Sequence, residues 1–155
     1  MFEPETVRFL QSGCALIVGT VDADGAPYAS RGWGLDVLDP VGTVRLLLDA
    51  ADETTVRHLR SRGAVAITAT HVPTLHSLQM KGHATAAIPA NDADRARKDE
   101  YADAFFGDIN ATEGTPLHLP ERMRPDDVVV CTVTVEELYD QTPGPGAGRA
   151  VEGSA

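Results

Sequence analysis

Short blocks of apolar and β-branched residues recur along the chain, each closed by glycine, proline or aspartate. The first, Pro4 to Gln11, reads as a short helix: proline suits a first turn, Val7 and Leu10 are spaced i, i+3, and Gly13 is placed to end it. Cys14-Ala15-Leu16-Ile17-Val18-Gly19-Thr20-Val21 reads as a buried strand. Asp22-Ala23-Asp24-Gly25 supplies a hairpin turn in which Gly25 can take φ > 0. Extended chain from Tyr28 to Leu38, a second turn at Asp39-Pro40-Val41-Gly42, and Thr43 to Leu48 complete a three-stranded antiparallel meander.

Asp52 to Arg62 is predicted as a helix with Asp52 as N-cap, Val56 and Leu59 on one side, and Gly63 closing it. Ala64 to Thr70 resumes β character. The break at His71-Val72-Pro73-Thr74 leads into a longer strand, Leu75 to Ile88. Asn91 or Asp92 caps a third helix in which Ala93, Ala96, Ala104 and Phe105 share a face and Gly107 stops the run. Asp108 to Asp127, with Pro116, Pro120 and Pro125, reads as an irregular connection, and Val128 to Val135 as the last strong strand. The pattern predicts one mainly β domain over residues 1–141, with six strands and three short helices. A Pro/Gly-rich tail, 142–155, is expected to lack regular structure and to fray beyond Arg149. Six antiparallel strands with a helix after the third suggest a closed or nearly closed barrel, because closure removes exposed edges. A plain α+β sandwich is the alternative.

Composition narrows the function. The chain has 155 residues, 13 Lys+Arg against 23 Asp+Glu, and a formal net charge of −10. That length gives one domain with a core that needs no staples. The acid excess argues against nucleic acid and anionic membranes as partners. Cys14 and Cys131 lie far apart in apolar runs and read as buried thiols, neither a disulfide framework nor a zinc site. Met1-Phe2-Glu3-Pro4-Glu5 does not resemble a secretory leader, no spanning helix is expected, and the expected location is cytoplasmic.

No phosphate-binding glycine loop, nucleophile elbow or zinc-protease motif occurs. The five histidines, His58, His71, His76, His83 and His118, lack metal-pair spacing, so no metal site is expected. On the strand after the proline break, Ser77, Gln79, Lys81 and His83 share one face, while Leu78 and Met80 point to the other. That face could line a ligand cleft; its plainer reading is the solvated side of a sheet. Ala29-Ser30-Arg31-Gly32-Trp33-Gly34 offers a guanidinium for a phosphate and glycines that let a flat ligand approach, or simply a barrel corner. Asp52-Glu53-Thr54-Thr55 could hold an anion at a helix start, although capping explains it equally well.

Taken in order, these stretches resemble the pyridoxamine 5′-phosphate oxidase-like, flavin-binding split-barrel superfamily. The resemblance runs from about Glu5 to Gly148. It is strongest at Thr74-Leu75-His76-Ser77-Leu78-Gln79-Met80-Lys81-Gly82 and at Asp140-Gln141-Thr142-Pro143-Gly144-Pro145-Gly146-Ala147-Gly148. It implies a six-stranded antiparallel split β-barrel that forms a homodimer, with FMN in clefts between protomers. By the same resemblance Arg31 meets the flavin phosphate, and Ser77, Gln79 and Lys81 lie near the ring or phosphate. Trp33 would wall the cleft beside Gly32, Thr54 and Thr55 would donate hydrogen bonds, and Arg57 would partly supply phosphate-neutralising charge. Family oxidases carry Arg, Lys or Ser where the third strand meets the helix; here Ala50-Ala51-Asp52-Glu53-Thr54-Thr55 has no cation, and Arg57 and His58 follow within a turn. FAD, a deazaflavin, or an empty or altered pocket therefore stay open beside FMN; a haem role would take His71, His76 or His83 as axial candidate. The implied activity is a flavin-dependent oxidoreductase acting on a small molecule, with no general acid or base assigned. A non-catalytic flavin or haem carrier or sensor on the same barrel is the alternative.

Overall fold

Helix α1 (Pro4–Leu10) begins at its proline and leads into strand β1 (Ala15–Val21). The meander continues through β2 (Pro27–Asp39) and β3 (Thr43–Asp49). Helix α2 (Glu53–Ser61), with Asp52 accepting from the Thr55 amide, separates it from β4 (Ala64–Thr70) and β5 (Ser77–Ala84). The two-residue β6 (Ile88–Pro89), helix α3 (Asp92–Glu113), a 3-10 turn (Pro120–Met123), β7 (Val128–Asp140) and the two-residue β8 (Arg149–Ala150) follow. This computed structural model describes residues 1–151.

The six long strands pair antiparallel in the order β3-β2-β1-β4-β5-β7, and β7 pairs β3 in turn, closing the barrel. Alternation decides which side chains fill it. Leu16, Val18, Leu46, Leu48, Ile67, Ala69, Met80, Cys131 and Val133 all point inward and are buried. Gly32 is paired with Leu16, and a Cβ there would lie 2.9 Å from the Leu16 Cβ, so the missing side chain makes room for the core. Helix α2 brings buried Thr55, His58 and Leu59 against the barrel, with His58 Nδ1 3.0 Å from Thr20 Oγ1. Cys14 and Cys131 are buried free thiols, as their apolar neighbours predict.

Helix α3 lies on the outside, over β2, β3 and β7. There Trp33, Leu47, Ala102, Phe105, Phe106, Val128 and Val130 form a second apolar cluster. Its start is fastened twice: Asn91 and Asp94 form a capping box, and Arg45 binds Asp94 through two 2.9 Å hydrogen bonds.

Four predicted boundaries move. Gly107 does not stop α3, which runs on to Glu113 and ends at Gly114 with φ 69°. The packed Phe105 and Phe106 hold the helix through that glycine. The connection after it is partly regular, containing the last turns of α3 and the 3-10 turn. The strand expected from Leu75 to Ile88 is two: beyond Ala84 the Thr132 amide donates to the Thr85 hydroxyl instead of to a strand carbonyl. β7 continues five residues past Val135, since β5 offers it a second partner: Met80 faces Leu138 and Leu78 faces Asp140. The tail does not fray at Arg149: Gly148 N–H donates to Asp140 O at 2.7 Å, β8 pairs with β7, and Val151 N–H donates to Leu138 O. The rest of that expectation falls on residues 152–155, outside the described part.

Candidate functional site

Helix α3 covers one side of the barrel and leaves the outer face of β1, β4 and β5 bare. Strand register sets what that face presents. One row reads Arg31 (β2), Ile17 (β1), Thr68 (β4), Gln79 (β5) and Tyr139 (β7). The next reads Ala29, Gly19, Ala66, Lys81 and Glu137. Three neighbours in the second row carry no more than a methyl group, so the sheet surface dips into an open trough of about 660 Å³. Pro27, Tyr28, Lys81, His83, Glu136 and Glu137 stand around it. A Cβ built on Gly19 would meet nothing closer than Ala66, at 3.8 Å.

Arg31 stands at the edge where α3 ends and the bare face begins. It is half-buried, its guanidinium lies 5.3 Å from the centre of the Phe105 ring, and burial lowers its pKa. Among the described residues it has neither an ion pair nor a hydrogen bond to a protein acceptor. The partly buried arginines Arg45, Arg97 and Arg124 are by contrast all paired with carboxylates. A desolvated cation with uncommitted donors can pair with an anion.

Across the same row, Gln79 donates to Thr68 Oγ1 at 3.0 Å and accepts from Gln141 at 3.4 Å, which fixes the direction of its amide. Lys81 Nζ lies 4.7 Å above the Tyr139 ring, and the Tyr139 hydroxyl donates to Glu137, whose hydrogen bond and charge raise the phenol pKa. Period-two alternation thus brings Arg31, Gln79 and Lys81 onto one surface.

The other predicted residues sit elsewhere. Ser77 is buried and shared between Thr70 and the Leu75 carbonyl. Gly32 faces the core. Trp33 is buried, edge-on to Phe106 at 6.1 Å. Thr55 is sealed beneath the start of α2, with its hydroxyl within hydrogen-bonding distance of Asp52 and Ser30. Thr54 is half-exposed, and Arg57 lines a separate 200 Å³ groove with Asp22, Asp24 and His58.

Thr68, Tyr139, Glu136 and Glu137 are not among the residues the sequence singles out, and Gln141 enters there only within the stretch that carries the resemblance. Thr68 was accessible from the alternation of its strand, but the β7 residues required knowing that β7 extends past Val135. The junction of β3 with α2 also differs from its local sequence. Asp49, Ala50 and Ala51 share a 440 Å³ groove with Arg122 and Arg124, which arrive from the 3-10 turn. Arg124 is committed to Asp99, Asp103 and Glu121, and its pKa is raised accordingly. Arg122 is exposed, with no ion pair among the described residues. The described residues hold no group of three His, Cys, Asp or Glu side chains suited to a metal, and no helix long and apolar enough to cross a membrane.

Comparison with known proteins agrees with this architecture. HupZ of Group A Streptococcus superposes with a TM-score of 0.58 at 20% identity, covering 96% of this chain and 100% of that one. An F420 reductase gives 0.55 at 19% identity, covering 88% and 98%. A candidate pyridoxamine 5′-phosphate oxidase of Lactobacillus delbrueckii also gives 0.55 at 19%, covering 89% and 93%. At these identities the likeness establishes the split-barrel fold. No curated protein sequence matches the chain. A family model described as pyridoxamine 5′-phosphate oxidase matches residues 2–142, nearly the whole barrel, and the chain belongs to that family.

Proposed function

We propose that the protein binds a flavin nucleotide, FMN foremost, on the bare face of the barrel where two copies meet, and that it is a flavin-dependent oxidoreductase of small molecules. The observation that carries this reading is Arg31: half-buried, without an ion pair among the described residues, and one row from a trough whose floor has almost no side chains. Small floor residues leave room for a planar ring, and the guanidinium fork suits a phosphate. Arg31 and Gln79 are three strands apart, about 14 Å along the sheet at the usual interstrand spacing. An extended flavin nucleotide bridges such a span. Arg31 would hold the phosphate, the oriented Gln79 amide would bond the polar edge of the ring, and Lys81 would place positive charge beside it. The cofactor, when bound, supplies hydride or electron transfer; the protein holds and shields it. A face this open leaves a ring exposed on one side, which is the argument for a second copy. Two free cysteines suit a reducing cytoplasm.

The test is a titration of purified protein with FMN, FAD, a deazaflavin and haem, followed by visible spectra and mass analysis after denaturation. Uptake of FMN, with bands bleached by NAD(P)H, supports the reading. A deazaflavin preferred over FMN changes the cofactor and keeps the site. A Soret band, uptake without bleaching, or no uptake of any of the four overturns the oxidoreductase.

A further inference from the structure

Strand β7 carries one residue too many opposite the trough. Lys81 faces Glu137 and the next residue, Gly82, faces Val135, so Glu136 is an insertion in the ladder, a β-bulge. The bulge breaks alternation: Glu136 and Glu137 are consecutive, yet both are exposed on the outer face. It also brings the β7 backbone onto β5, where a Cβ on Gly82 would overlap the Thr134 carbonyl. The run Lys81-Gly82-His83 is thereby explained: glycine admits the bulge, and its two neighbours face what the bulge turns outward. Bulges that re-aim side chains concentrate beside active sites.

The bulge builds a dyad. His83 Nδ1 lies 3.0 Å from Glu136 Oε1, and both residues line the trough. A carboxylate at Nδ1 selects the tautomer protonated there, which leaves Nε2 as a lone-pair acceptor. Nε2 has no hydrogen-bond partner among the described residues. The other charged groups facing His83 are Lys81 on its own strand and Glu137 on β7; β4 presents only Ala64 and Ala66.

We propose that His83 is the proton-exchanging residue of this site, with Glu136 as its positioning partner, and that it takes up a proton when the ligand in the trough is reduced. The proposal rests on the flavin reading. A donor of the nicotinamide class that gives up hydride to the bound ligand would depart oxidised, with its positive charge, leaving the trough one negative charge richer. A solvent proton then forms an N–H bond at His83 Nε2, giving an imidazolium held by Glu136 and restoring the charge. Lys81 is already cationic and contributes a constant field, whereas His83 can supply a charge that follows the redox state.

Two measurements on the full chain test this. In the flavin-free protein, ring-nitrogen NMR of His83 should show the Nδ1–H tautomer, and Glu136→Gln should abolish that preference. Any other tautomer in the parent overturns the dyad, whatever the fate of the flavin. In the FMN complex, spectroelectrochemical titration around neutral pH should show more protons taken up per two electrons in the parent than in His83→Gln, with Glu136→Gln between them. Equal uptake in all three overturns the role of His83 and leaves flavin binding standing. Failure of FMN to bind overturns both, and is visible in the titration before any potential is measured.

Discussion

Arg31 is the residue at which the flavin reading is most exposed to test. Removing its side chain deletes charge-assisted hydrogen bonds to a phosphate, each worth about 1.5–3 kcal/mol, or roughly ten- to a hundredfold in Kd. The fold should barely notice. Arg31 makes no protein hydrogen bond among the described residues, and its stacking on Phe105 is worth roughly 0.5–1 kcal/mol. Arg31→Ala should therefore weaken FMN binding by calorimetry while leaving the melting curve nearly in place; an unchanged Kd removes Arg31 from the site. The cysteines give a second test at this scale. Burial pushes the Cys14 thiol up to about 11 and the Cys131 thiol up to about 12. Raised values keep the protonated, unreactive form dominant at neutral pH. Neither thiol should react with a thiol reagent in the native protein at pH 8, and both should react in denaturant. Rapid native labelling of Cys14 would show that α1 opens, since its Sγ donates to the Phe9 carbonyl at 3.2 Å.

Elements are where local signals and tertiary contacts compete, and α3 shows which prevails. Gly107 carries the expected penalty of glycine inside a helix, but the apolar cluster on either side of it holds the turn. A Cβ there would meet nothing within 4 Å. Gly107→Ala should thus stabilise the protein by about 0.5–1 kcal/mol in urea unfolding; destabilisation would mean that something packs against this face in solution. The same competition separates what could be read beforehand from what could not. Strands β1 to β4 and the cap of α2 follow from local pattern and turn chemistry, because hairpin partners lie next to one another in sequence. The end of β5, the length of β7 and the return of β8 depend on which distant strand accepts their hydrogen bonds, and no local pattern carries that information. The site divides the same way. Arg31, Gln79 and Lys81 were accessible because alternation alone decides their face. No local pattern shows that α3 sets Phe106 against Trp33, and Glu136 joins the trough only through a bulge that pairing with β5 creates.

At the scale of the whole molecule, the proposed seam sets apolar burial against charge. Each chain carries a formal −10, so two copies repel. At physiological salt the screening length is about 8 Å, which confines that repulsion to groups near the seam. A standard interface buries roughly 1,600 Å² in total, ample for the open face around Gly19, Ala29 and Ala66 to contribute its core. Burial should win at physiological salt and lose ground in dilute buffer, so light scattering should show a dimer that tightens as salt rises. Ile17 tests where the proposed seam lies. It lies 44% exposed between Arg31 and Thr68, in the row that also holds Gln79. Ile17→Lys places a charge where the partner would sit, while an exposed substitution of this kind costs the single chain within about 0.5 kcal/mol. The variant should run as a folded monomer and bind FMN more weakly although Arg31 is intact, because half of the cleft has left. A variant that remains dimeric and binds FMN like the parent would move the seam, and the cleft with it, to another face of the barrel.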